Sequence, residues 1–348
     1  MVFTSYRLAD AFKAKNGPKK IYAYNVPCQY IVATEKKFWN KFLFPKTPSE
    51  RCFYEVIEED KPCHLYVDID INRQNYPSIE LNTIKQMVCS HIEYGLKAMD
   101  LKIERCYVTD SSNERKGSLH ILYHIKDHLW ASNAHVGAFM RRCMEMKVKQ
   151  NEEDYFMWTT FVDMCVYSRN RLFRMLGCTK KHELRTKQSP DIPFDFQHWK
   201  ACQIQPCVYP DHITLIECNE PDGRSACYMG SKAVPIVDFE PTIRAHLMDF
   251  ASQIAPVRTI NYIPAYMQWY INLDKKDCIF KGEKHKKNTN YMVVNWHENT
   301  YHFKCWNRKY ECCIHGKSHV NPLPQELCEI INKYMNFIIS PSIDSTEQ

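Results

Sequence analysis

The stretch HLYVDIDIN, residues 64–72, constrains the fold more than any other segment of this chain. Leu65, Val67, Ile69 and Ile71 alternate with His64, Tyr66, Asp68, Asp70 and Asn72, the period-2 pattern of a strand with one face in a core. Residues two apart on a strand share a face, so Asp68 and Asp70 stand with Cβ atoms roughly 6–7 Å apart. Two ionised carboxylates at that range repel, and burying both without a cation pushes one pKa upward. A divalent metal removes the conflict, and oxygen ligands suit Mg²⁺ or Mn²⁺. A strand face washed by solvent removes it equally well, so the pair alone does not decide.

The surrounding pattern alternates strand and helix. IYAYN and QYIVAT (within 20–34) read as strands, and EKKFWNKF after them as a helix. CFYEVI (52–57) and CHLYVDIDI (63–71) follow, separated by the turn EEDKP. Ser78 is placed to cap a long helix with Ile84, Met87, Val88, Ile92, Leu96 and Met99 on one face. CYVTD (106–110) and SLHILYHI (118–125) are strands around the polar loop SSNERKG, and a helix is predicted over 131–149. The N-terminal MVFTSYRLADAFKAKNG reads as a short amphipathic helix stopped by Gly17. This alternation predicts an α/β core over 1–185. Prolines 190, 193, 206, 210 and 221 interrupt what comes next, so 186–261 reads as connecting loops with a helix near 239–254. Residues 262–320, rich in Cys, His and aromatics, form a further unit, and 321–348 a helix (324–338) with a polar tail.

Composition sets the class. The chain has 348 residues, 45% hydrophobic and 25% charged, as in ordinary globular proteins. No run of 18 apolar residues exists, so no membrane helix is expected, and the N-terminus lacks the apolar stretch and cleavage site of a signal peptide. Seventeen cysteines without an export signal read as reduced thiols in an intracellular, reducing compartment, with any close-set group a candidate metal site. The net charge of +6 is mild, but its distribution is not. Residues 169–187 hold Arg169, Arg171, Arg174, Lys180, Lys181, Arg185 and Lys187 against the single acid Glu183, which matches the excess of the whole chain. Such a run is either a solvated face or a phosphate-binding surface.

Metal-dependent phosphoryl transfer takes several carboxylates, and Asp163 in FVDMCVYSRNRLFRM is the best third candidate, because it adjoins the basic window. Arg171 and Arg174 suit bidentate phosphate recognition. On a strand they would face opposite ways, so a bend is expected if both serve one site. In KGSLHILYHI, Lys116, Ser118 and His120 alternate onto one polar side as donors for phosphate oxygens.

These segments, in this order, resemble the archaeo-eukaryotic primase superfamily, nearest to its PrimPol-like and herpesvirus primase-subunit-like members. CFYEVIEEDKPCHLYVDID is similar to the strand pair leading into that family's metal acids, with Asp70 where the family often has Glu. DSSNERKGSLHILYHI resembles its nucleotide-contacting Ser and His segment, and VDMCVYSRNRLFRMLGCTKK its third block. The resemblance implies Asp68, Asp70 and Asp163 as ligands of Mg²⁺ or Mn²⁺. It implies Lys116, Ser118, His120, Arg171, Arg174 and Lys180 as nucleotide contacts, with Tyr54 where a sugar-facing tyrosine would stand. The implied fold is a primase-type catalytic core of mixed sheets flanked by helices, followed by a zinc-binding unit.

Cys278, His285, Cys305 and Cys312 offer three thiolates and an imidazole, a closed set typical of structural zinc, and MVVNW and TYHFKC read as the hairpin that gathers them. Cys313 is the alternative fourth ligand, with His297, His302 and His315 as substitutes. PrimPol-like and herpesvirus primases carry a similar unit after the catalytic core. Lys275, Lys276, Lys281, Lys284, Lys286 and Lys287 surround it, with Trp296, Tyr301, Phe303 and Trp306 interleaved, as suits single-stranded nucleic acid.

The resemblance therefore implies a DNA primase-polymerase that uses a single-stranded DNA template and NTP or dNTP. A replicative helicase is a candidate partner, and the nucleus or a viral replication site the place of action. The same residues fit a non-catalytic single-strand-binding or helicase-partner factor, or a repair polymerase that extends primers without making them.

Overall fold

The alternating segments of the first part of the chain pair into two antiparallel-rich sheets, as their period-2 patterns require. A computed structural model describes residues 2–25, 29–146, 151–181, 183, 185–220, 223, 225–226, 241–263, 268–275, 290–296, 298–305 and 319–339. The chain divides into two compact units, Met1–Val234 and Pro235–Gln348. The first contains β1 (Phe3–Ser5), α1 (Leu8–Ala14), β2 (Lys20–Tyr24), β3 (Gln29–Ala33), α2 (Glu35–Phe38), β4 (Phe53–Ile57) and β5 (Leu65–Asn72). It continues with α3 (Leu81–Ala98), β6 (Ile103–Asp110), β7 (Lys116–Ile125), β8 (His128–Trp130), α4 (Asn133–Met146), α5 (Glu152–Phe161), β9 (Arg171–Arg174), α6 (Phe196–Ala201) and β10 (Thr214–Ile216).

One sheet runs β1-β3-β2-β4-β9, every neighbour antiparallel. The other runs β10-β8-β7-β5, with β6 on the other side of β7. Leu65, Val67, Ile69 and Ile71 are buried, as their alternation demands, and so is Tyr66 on the opposite face. The strand is thus covered on both sides. Its second cover comes from the turn at Met164–Tyr167: Tyr66 Oη donates to the Val166 carbonyl (2.9 Å) and Tyr167 Oη to the Tyr66 carbonyl (2.7 Å).

Several local expectations shift. Helix α3 begins at Leu81 with Glu80 in the extended N-cap position and no side-chain cap, so Ser78 does not cap it. Ile84, Met87, Val88, Ile92 and Leu96 are buried as their spacing predicts, whereas Met99 lies past the last turn and is exposed. The expected helix after β3 holds α-geometry only through Phe38 and then widens into a π-turn, Trp39–Leu43. Helix α5, not anticipated, carries a local start signal: the Asn151 side chain accepts the N–H groups of Glu153 (3.0 Å) and Asp154 (3.2 Å).

Residues 186–220, expected as connecting loops, complete the core of the first unit. Trp199 from α6 is fully buried against Tyr22, Phe38 and Trp39. The irregular backbone beyond it is satisfied by side chains rather than by a ladder. Glu55 accepts the N–H groups of Ile204 (2.8 Å) and Gln205 (2.9 Å) while paired with buried Lys20. Gln205 returns a bond to the Glu58 carbonyl (2.9 Å).

The second unit contains α7 (Pro241–Ser252), β11 (Val257–Ile263), β12 (Gln268–Leu273), β13 (Asn290–Asn295), β14 (Thr300–Cys305), β15 (Asn321–Pro322) and α8 (Gln325–Ile339). Its strands form an antiparallel meander in chain order, with α7 packed on β11 and α8 on α7. Tyr262, Trp269, Ile271, Leu273, Met292 and Val294 fill its core. The polar tail, 340–348, lies outside the described residues.

Candidate active site

The register of β5 against β7 assembles the first part of the site. Asp68 stands opposite His120, Asp70 opposite Ser118, and Asn72 opposite Lys116. Directly opposed residues of an antiparallel pair project to one face, so the two acids and the Lys-Ser-His series share it. Gly117, opposite Ile71, permits the close approach on the other face: a Cβ there would come within 2.6 Å of Ile71 Cγ2.

Asp163 arrives by main-chain pairing. After α5 ends, Val162 bridges to Ile69, and the Asp163 N–H donates to the Asp68 carbonyl at 2.9 Å. One carboxylate oxygen of Asp163 caps the following turn through Cys165 N–H (2.8 Å), and the other lies 3.7 Å from Arg171 Nη2. The structure thus brings all three acids together.

The three charges act on one another. Burial pushes the Asp68 carboxyl well above the usual carboxylate range, and the charges of Asp70 and Asp163 push the same way. Asp68 Oδ1 and Asp70 Oδ1 are buried without a hydrogen-bond partner. Orphaned carboxylate oxygens among mutually repelling acids are the donor set a hard divalent cation satisfies. Each acid also faces a basic group: Lys116 Nζ is 2.6 Å from Asp70 Oδ2, and His120 Nε2 is 3.5 Å from Asp68 Oδ1. Among the described residues no three His, Cys, Asp or Glu side chains close around a single point.

A cationic wall adjoins the acids. Strand β9 places Arg174 opposite Tyr54 and Arg171 opposite Ile57. No bend separates the arginines along the four-residue edge strand β9; Arg171 lies 3.7 Å from Asp163, and the charge of Asp68 opposes the burial that lowers the pKa of Arg174. Arg174 donates to Ser111 Oγ (2.5 Å) and to the Arg185 carbonyl (3.2 Å). Burial lowers the pKa of Lys180, and Lys116 and Arg174 lower it further. His120 is kept neutral by burial first, then by Lys187, Arg174, Lys180 and Lys116. Ser118 is buried beside Asp70, its N–H held by Ser112 Oγ (3.0 Å). Tyr54 is half-buried in an apolar cluster with Ala23, Val56 and Leu172. His124, by contrast, stacks on His64 (ring centres 3.9 Å) and bonds the Ala201 carbonyl (2.9 Å), away from the acids.

A cleft of about 830 Å³ opens beside Lys116, lined by Ser112, Asn113, Arg115, Glu183, Arg185 and Gln188 among others. Sequence reasoning passed over Lys187, Arg185 and Ser111 as site residues. Lys187 is buried, donates to the Arg174 carbonyl (2.7 Å) and lies 4.9 Å from the centre of the Phe173 ring, which packs 4.4 Å from His120. The basic window contained it, but nothing in the window marks which cation turns inward.

The chain is 21% identical to the DNA-directed primase/polymerase protein of Homo sapiens, over 93% of this chain and 76% of the relative. For the protein of the same name from Bos taurus the figures are 21%, 93% and 76%, and from Mus musculus 22%, 92% and 75%. Along most of its length the chain is thus similar to DNA-directed primase/polymerase proteins. No protein-family model matches it.

The second unit contains part of the expected zinc set. β13 and β14 form the anticipated hairpin, with buried Cys305 opposite Asn290 and His302 opposite Val293. Cys278, His285, Cys312, Cys313, His297 and His315 lie outside the described residues, as do Lys276, Lys281, Lys284, Lys286, Lys287 and Trp306. No helix among the described residues is long and apolar enough to cross a membrane.

Proposed function

We propose that this chain is a DNA primase-polymerase, a nucleotidyltransferase that makes primers on single-stranded DNA from nucleoside triphosphates. The observation that carries the reading is the Asp163–Asp68 main-chain bond, which sets a third acid beside the first two, next to the Lys116 that lines a cationic cleft. Asp68, Asp70 and Asp163 are the residues that would hold Mg²⁺ or Mn²⁺, and the orphaned oxygens of Asp68 and Asp70 support that assignment. Such ions, when bound, would lower the pKa of the attacking 3′-hydroxyl and offset the negative charge on the leaving pyrophosphate.

The chain's own groups do the rest. Arg171, Arg174, Lys116 and Lys180 face the triphosphate, and their fixed charges offset the negative charge that develops as the phosphoryl group transfers. Ser118 offers its hydroxyl beside Asp70, and His120, neutral and buried, offers a ring N–H without repelling a metal. Tyr54, opposite Arg174 in register and packed in an apolar cluster, would line the sugar side of the site. In the second unit, Cys278, His285, Cys305 and Cys312 would hold a structural zinc, and the lysines and aromatics around them would hold the template strand. A replicative helicase is the partner this activity calls for, and the nucleus or a viral replication site the place it would work.

The test is incorporation of labelled NTP and dNTP on single-stranded template, with and without a supplied primer, in Mg²⁺ or Mn²⁺. Asp68→Asn is expected to lower synthesis on the order of a thousandfold. Undiminished synthesis by that variant overturns the reading, and synthesis only from supplied primers assigns the extending, non-priming activity.

A further inference from the structure

We infer that Lys116 is the resident counter-ion of Asp70 and passes from that carboxylate to a phosphate oxygen when a divalent cation takes its place, so that metal and nucleotide bind cooperatively. The inference rests on the reading of Asp68, Asp70 and Asp163 as the metal-holding acids. Its basis is a shared side chain. Lys116 Nζ lies 2.6 Å from Asp70 Oδ2, while Oδ1 of the same carboxylate is buried and unpartnered. Lys116 also lines the 830 Å³ cleft with Arg115 and Arg185, where a triphosphate would lie.

The main chain around it is fixed. Asn113 Oδ1 accepts from the N–H groups of Lys116 (2.8 Å) and Arg115 (3.0 Å), and Asn113 N–H donates to the Lys116 carbonyl (2.8 Å). Only the side chain is left to move, and at about one-third exposure it has room. An ammonium on Asp70 competes with any cation for that carboxylate, and an ammonium held by Asp70 is withheld from phosphate. A divalent ion on Asp70 therefore releases Lys116 to the nucleotide. A nucleotide that draws Lys116 away exposes Asp70 to the ion, and linkage makes the two effects equal in size.

Two binding experiments on the full chain test this without turnover. In the first, Mn²⁺ alone is titrated and free Mn²⁺ is read by electron paramagnetic resonance. Lys116→Met is expected to bind Mn²⁺ on the order of fivefold more tightly than the wild type, the factor for losing a partly exposed ion pair. Arg115→Met, which removes a cation of the same cleft that is not on Asp70, is expected to change it less than twofold. An unchanged or weakened affinity in Lys116→Met overturns the inference, as does an equal gain in Arg115→Met.

In the second, a fluorescent nucleoside triphosphate is bound in EDTA. Asp70→Asn is expected to tighten binding severalfold in the wild-type background and to lose most of that gain in the Lys116→Met background. Additive effects of the two substitutions overturn the inference. If neither wild type nor Lys116→Met binds Mn²⁺, the metal-site reading fails by itself, and the EDTA cycle still decides whether Asp70 holds Lys116.

Discussion

Replacing Lys187 by Met should make stability depend on pH in a way that isolates one buried ammonium. Lys187 is 4% exposed, and among the described residues no carboxylate lies within ion-pair distance of it. Burial lowers its pKa from the ordinary 10.5 to about 8; Cys202 opposes this, Arg174 adds to the lowering, and Asp68 and Cys178 oppose it more weakly. Below pH 8 both the folded and unfolded chains carry the proton, and the folded state bears the full cost, about 3 kcal/mol. Between pH 8 and 10.5 only the unfolded chain keeps it, so the wild type gains stability as pH rises. The methionine variant lacks this gain. It also leaves the Arg174 carbonyl without its 2.7 Å donor, a loss of about 1–3 kcal/mol that does not vary with pH. At pH 7 the two effects oppose each other, and the slope is diagnostic. Urea unfolding of both proteins at pH 7, 8 and 9 should show the wild type gaining about 1 kcal/mol on the variant. A difference that stays flat or runs the other way refutes the assignment of Lys187 as a buried charge.

Glu55→Ala should cost about 3–5 kcal/mol, because it strands buried Lys20 and two peptide N–H groups; calorimetry should find the melting point roughly 10 °C lower. Gly177→Ala should destabilise by about 2 kcal/mol or more, since φ is +77° and the added Cβ would lie 2.0 Å from the Phe194 ring; a stability within about 0.5 kcal/mol of wild type in urea would contradict the local geometry. Elemental analysis of the purified chain should find about one zinc, diminished in Cys305→Ser; full retention in that variant removes Cys305 from the ligand set.

Much of the site was legible because its chemistry is local. The alternation in 64–72 and 116–125 gives the strands, their buried faces and the shared face of Asp68, Asp70, Ser118 and His120. What stayed hidden depends on distant partners. Tyr66 is on the face that alternation marks as polar, yet a turn about a hundred residues later covers it. The prolines of 186–220 erase periodicity, which reads as loop, but they do not keep Trp199 out of a core whose irregular backbone is satisfied by Glu55 and Gln205. The arginines were expected to need a bend because alternation fixes where Cβ points; it does not fix where the end of a long side chain arrives. Lys187 is indistinguishable in sequence from its solvated neighbours.

The bond between the Asp163 amide and the Asp68 carbonyl has one more implication. Any residue type except proline supplies an amide hydrogen, and every residue supplies a carbonyl, so this link places no demand on the neighbouring side chains. A lineage could rewrite the helix before it and the turn after it while the three acids kept their mutual spacing. That is how a reaction centre can outlast most of the letters around it, as it would have to between proteins now alike at about one position in five.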